Sequence, residues 1–140
     1  MTFDLTRTTP CGTIVSALRS VGAVATGFLA IAALSTVADI AAHNAGLFPA
    51  DGSPSYDNAA FLVAFGYRTA FGVLAGYIVA RLAPHHPMGH ALALGVIGLV
   101  LGALGAISMW GMGPAWYAIA VALVAPPATW LGARLQTSRH

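Results

Sequence analysis

Lysine and glutamate are absent from this chain, cysteine occurs once, and charged residues of every kind make up only 7% of it. Each lack excludes something. Soluble domains carry about 25% charged residues, so a water-facing surface cannot be assembled from this inventory. The single cysteine, Cys11, rules out a disulfide within the chain. No apolar run precedes it, so it does not read as a lipoprotein cleavage site, and an ordinary free thiol in a polar tail is expected. The basic residues are six scattered arginines, and the net charge is only +2. Without a basic stripe to follow a phosphate backbone, nucleic acid is not an expected partner.

What the chain does contain is apolar length. Its 140 residues are 58% hydrophobic, with a mean hydropathy of +0.79. A membrane helix needs about 20 apolar residues, and four such spans with short joints use nearly the whole chain. The spans fall at about 18–42, 58–82, 91–110 and 115–135. Residues 1–17 form a polar N-terminal tail, and 136–140 a C-terminal tail. The segment HNAGLFPADGSPSYD (43–57) is a loop by its turn chemistry, and Ser55 or Asp57 can cap the helix after it. The uncharged stretch Val21–Ala38 exceeds the 7–15 residues typical of a signal-peptide apolar region, so the first span is expected to be retained. The expected fold is an all-α, antiparallel bundle of four transmembrane helices, with spans two and three paired across the short joint at 83–90.

Orientation follows from the arginines. Arg7, Arg19, Arg81, Arg134 and Arg139 fall on one side of this scheme, while Asp51 and Asp57 lie on the other. Positive residues are retained in the cytoplasm, so both termini are expected there, in a bacterial inner membrane. Trp110, Trp116 and Tyr117 then mark the outer interface and Trp130 the inner one.

Helix association in lipid depends on close packing and polar contacts. Span two carries small residues around one face, with Ala64, Arg68, Gly72, Gly76 and Ala80 at four-residue spacing. Span three carries Gly95, Gly98, Gly102 and Gly105, span four Ala118, Ala122 and Ala125. The Gly98/Gly102 pair serves either packing inside the bundle or a dimer seam. Pro126 and Pro127 lie near the middle of span four, where two missing N–H donors predict a kink.

Arg68 is the residue that stands apart. It lies about midway between Asp57 and Arg81, near the centre of span two, where an arginine costs at least about 2.5–3.5 kcal/mol to insert. Such a charge marks a functional site by default and needs a partner. On span one Ser35, Thr36, Asp39 and His43 share a face. Asp39 lies about 10 Å nearer the outer surface at about 1.5 Å per residue, a gap that the long side chain, Tyr67 or a water can bridge. Three readings stay open for Arg68: a structural pair with Asp39, a site for an anionic or carbonyl-bearing ligand, and a contact with an acid on another subunit.

No other chemistry appears. His85, His86 and His90 are close in sequence, but Pro87 and Gly89 break any helix between them and no cysteine or carboxylate is near, so no metal site is expected. No histidine lies at the mid-membrane depth a haem would need. There is no glycine-rich phosphate cradle, nucleophile elbow or carboxylate pair, and neither a cofactor nor an enzymatic activity is expected. The run YRTAFGVLAGYIVARLAP…PMGHALALG…GPAWY (67–117) resembles small four-span membrane proteins of bacteria and brings no functional motif. The small multidrug exporters share the size and span count but depend on a mid-membrane acid in the first helix. Asp39 is too near the outer end to supply it. The leading expectation is an accessory or structural subunit packing with itself or a larger membrane complex, since so small a bundle has little room for a sizeable aqueous cavity. The alternative is a transporter or a ligand- or lipid-binding protein that uses Arg68.

Overall fold

The computed structural model describes residues 10–139, so the chain ends bearing Asp4, Arg7 and His140 lie outside the described residues. Four α-helices follow in order: α1 (Pro10–Asn44), α2 (Asn58–Leu82), α3 (Pro87–Ser108) and α4 (Ala115–Thr137). All four are long and apolar enough to cross a membrane. Large aliphatic and aromatic side chains cover the outside, among them Leu29, Leu62, Ile107 and Leu123, and the buried core consists largely of alanine. That inversion of the soluble pattern suits lipid, where apolar side chains need no burial and close backbone approach holds helices together.

Two helix starts differ from the sequence expectation. α1 begins at Pro10, so residues 10–17 and Cys11 are helical and not a tail. Proline is well suited to a first turn, because its missing N–H has no intrahelical acceptor there, and the Thr-, Ser- and Arg-bearing turns after it can remain helical outside the hydrocarbon. α3 begins at Pro87, again a proline at its start, with His86 before it in left-handed backbone (φ 46°). Pro87 and Gly89 therefore do not break the helix, and His90 lies in its first turns. At α2 the N-cap is Asp57, whose Oδ1 accepts from the Ala59 amide at 3.0 Å.

α2 and α3 pack against each other, as their short joint leads one to expect. α4 packs against both α2 and α3 far more extensively than they pack against each other. Glycines explain the choice. A Cβ at Gly76 would collide with the backbone of Thr129, and one at Gly132 with the carbonyl of Val73, so α2 and α4 touch main chain to main chain. On the other side of α4, a Cβ at Gly95 would lie 2.7 Å from Pro126 Cα, and one at Gly102 3.0 Å from Ala122 Cα. α4 continues as one helix through Pro126 and Pro127. The Ala122 carbonyl, which would have accepted from residue 126, belongs to a residue buried against the α3 glycines, where protein and not lipid surrounds it.

α1 is held more loosely. It packs on α2 and touches α3, and among the described residues it makes no close approach to α4. Gly27 lets it sit against Val79, Leu94 and Ala75. The Tyr56 hydroxyl donates to the Gly111 carbonyl at 2.6 Å and the Ser55 amide to the Met112 carbonyl at 3.1 Å, which joins the 45–57 loop to the α3–α4 turn at one end of the bundle. At the other end Ala80, Ala91 and Ala133 form a small core that gathers the close of α2, the start of α3 and the close of α4.

Candidate functional site

Because α1 leans on α2 and meets α3 near Leu94, a space opens where it would otherwise have met α4. The result is a cavity of about 780 Å³. Phe28, Ile31, Ala32 and Ser35 of α1 form one wall, and Leu94, Gly98, Leu101, Gly102 and Gly105 of α3 face them. α4 contributes Tyr117, Val121, Val124, Ala125 and Ala128, so along that helix the space runs from Ala115 to Thr129, about 20 Å at about 1.5 Å per residue. The loop-bearing end is roofed by Tyr56 and the Gly111–Pro114 turn. The turn sits close under α2, since a Cβ at Gly113 would meet the ring of Phe61 at 2.8 Å.

Among the described residues Arg68 is the one charged side chain on this wall, with Gly72 one turn further along α2. Its Nη2 donates to Asp39 Oδ2 at 2.6 Å, and the Tyr67 hydroxyl donates to the other carboxylate oxygen, Oδ1. Arg68, Asp39 and Tyr67 are therefore one direct network between α1 and α2, with no water needed to span it. Nε of Arg68 is buried and has no hydrogen-bond acceptor, yet 33% of the side chain remains accessible. The guanidinium is thus paired on one edge and unsatisfied on another. Of the other polar residues on α1, Thr36 returns its hydroxyl to the Ala32 carbonyl at 2.8 Å and the His43 ring lies 3.0 Å from the Asp39 carbonyl, while Ser35 lines the cavity.

Tyr117 belongs to this site, although its place beside Trp116 suggested an interfacial aromatic. Its ring meets Phe61 edge-on at 4.8 Å, and Phe61 in turn meets Phe48 at 5.3 Å. Tyr117 and Arg68 line the same cavity. The available signal was helical spacing: Tyr117, Val121, Val124 and Ala128 share one face of α4 at i, i+4, i+7 and i+11. The other aromatics do fill surface roles. Trp116 donates to the Asn58 side chain at 2.9 Å, and Arg134 lies 5.1 Å over the ring of Trp130.

Of the glycines read as packing positions, Gly72 and Gly76 face Ala128 and Thr129 of α4, and Gly98 and Gly102 face Ala125 and Ala122. Gly98 and Gly102 also border the cavity, beside Leu94 and Leu101. His85, His86 and His90 cluster, with ring centroids 5.5 and 5.7 Å apart, but sit at the opposite end of the bundle near Ser16. No group of ligating side chains suited to a metal ion occurs among the described residues. In the 45–57 loop, the Ser53 hydroxyl and amide beside Asp51 hold its carboxyl below the usual range, the amide at 3.1 Å.

The arrangement can hold an elongated apolar molecule against small and aromatic side chains and offer its polar end a cationic donor. Comparison with protein-family models, with curated proteins and with solved structures finds no match to this chain.

Proposed function

We propose that this chain is a non-enzymatic, multi-pass protein of a bacterial inner membrane that binds an apolar ligand between its helices, anchored at Arg68. The single observation that carries this reading is the cavity of about 780 Å³ with one charged residue on its wall. Ligand sites span about 300–1,000 Å³ and combine a mostly apolar lining with a few convergent polar groups. An ionisable residue in the hydrocarbon region costs free energy and is retained where it serves a pathway, a partner or a ligand.

In this proposal the helices form an antiparallel bundle with both termini cytoplasmic. Arg19, Arg81, Arg134 and Arg139 then lie inside, and Asp51 and Asp57 outside, in keeping with the retention of positive charge. The cavity occupies the part of the bundle nearer the outer surface, beneath the 45–57 loop.

Native mass spectrometry of the full chain in mild detergent tests the reading. A small-molecule adduct that disappears on filling the cavity with Val121→Phe is the expected result. An adduct-free chain that also fails to take up any added apolar probe would refute it. A second reading is an accessory subunit that packs with itself or a larger membrane complex. It is favoured by Gly22 and Gly66, whose open faces would let another helix approach. A protein partner in the same spectrum is its signature. Loss of solute flux in liposomes on Arg68→Leu would mark a transporter.

A further inference from the structure

The wall of the cavity narrows the chemistry of its occupant. We infer that the ligand is a neutral, ring-bearing lipid whose polar end is a carbonyl oxygen, the chemistry of a membrane quinone. The inference rests on the ligand-binding reading above and adds the class of ligand.

Charge balance is the first argument. The Arg68 guanidinium already holds the Asp39 carboxylate at 2.6 Å, so the pair is neutral as it stands. A second carboxylate or a phosphate would place two anions on one cation in a low-dielectric space, where like charges repel strongly. A carbonyl oxygen accepts from the part of the guanidinium that Asp39 leaves free and brings no charge with it. The Arg68 side chain lines the cavity and is one-third accessible, so an acceptor there can reach the edge that Asp39 leaves free, while Nε stays buried beyond its reach.

Depth is the second argument. Arg68 sits in the interior of α2, with turns of apolar helix on either side. A phospholipid phosphate belongs at the headgroup level and would have to leave it to reach this residue. A quinone-like head lies at home in hydrocarbon, and its chain can follow the apolar slot toward Leu94 and Ala128.

Shape is the third. Gly98 and Gly102 thin the α3 wall beside Leu94 and Leu101 and bring Ala125 and Ala122 of α4 close to it, and Tyr117 and Phe61 stand edge-to-face on the same cavity. Small residues with aromatic rings beside them suit a planar conjugated ring, which gains from stacked and edge contacts. A saturated chain would use the same space but would leave the donor unanswered.

Decyl-benzoquinone, the matching dimethoxybenzene that lacks carbonyls, and laurate at alkaline pH are the probes. Binding is read by equilibrium dialysis on the full chain in nanodiscs, with thermal stability followed in parallel. Wild type is expected to bind the quinone about tenfold or more tighter than the dimethoxy compound, the scale of one hydrogen bond to a charged donor. Arg68→Gln should erase that difference. Val121→Phe, which leaves the Arg68–Asp39 pair untouched, should abolish quinone binding without a drop in melting temperature. Asp39→Asn frees the arginine's charge and should shift preference toward laurate. If wild type takes laurate in preference to the quinone, or the two uncharged probes equally well, the carbonyl inference falls while the cavity reading stands. If no probe binds, both fall.

Discussion

A guanidinium within a membrane helix has few stable arrangements, and Arg68 adopts one of them. Asp39 answers one edge, Tyr67 holds the same carboxylate from the other side, and the rest of the group faces a cavity. Polar contacts between membrane helices contribute about 0.6–2 kcal/mol each. Arg68→Leu and Asp39→Asn are therefore each expected to lower stability in detergent by about 1–2 kcal/mol. The double variant should lose less than the sum of the two, since residues in one ion-pair network couple by about 0.5–3 kcal/mol. Thermal or denaturant unfolding of all four proteins measures this, and strictly additive losses would mean that the pair is not coupled. Asp51 offers a contrasting case in the loop. Its carboxyl is held low by the Ser53 hydroxyl and amide, so the turn is stabilised above the ordinary carboxylate range and loosens as pH falls through the depressed value. The Ser53 amide shift in an NMR titration should follow that transition, and no change in acid would contradict it.

Among the elements, α4 organises the bundle. Its two faces meet α2 and α3 through glycine and alanine, and at Gly132 and Gly76 the contact is with backbone. Backbone cannot rotate out of the way as a side chain can, so even a methyl there must part the helices. Gly132→Ala is expected to cost about 1–3 kcal/mol, the usual range for overpacking. Gly105→Ala, with open space around it, should be neutral or stabilising by up to about 1 kcal/mol through helix propensity. Comparing their melting temperatures in one detergent tests the assignment, and equal effects would count against it. The Gly98 and Gly102 pair illustrates how a helix motif can have two uses. The same residues admit the alanines of α4 and also border the cavity. α1 differs in having one firm neighbour, α2, and that looseness is what creates the cavity.

At the scale of the whole molecule, four apolar helices with arginines gathered at one end define a proposed topology that labelling can check. Cys11 is the only native thiol, so a chain with Cys11→Ser provides a clean background. In intact cells, a membrane-impermeant maleimide should label Gly52→Cys and should not label Ser138→Cys until the membrane is opened. The reverse pattern would invert the topology and place the cavity near the cytoplasm.

The existence of four membrane-length helices was legible in composition and run length alone, because lipid permits only structures that satisfy their own backbone. The isolation of Arg68 was equally legible, since a lone charge in an apolar run needs no coordinates to be recognised. Helix starts were less so: prolines at 10 and 87 open helices here, although the same residue type ends helices elsewhere. Tertiary structure alone decided which helices are neighbours. Alanines and glycines run along all four spans, and a small residue says that something can approach without saying what does. The cavity belongs to that same level. It lies where α1 and α4 do not meet, a property of the assembled bundle, and no stretch of residues taken by itself encodes an empty space.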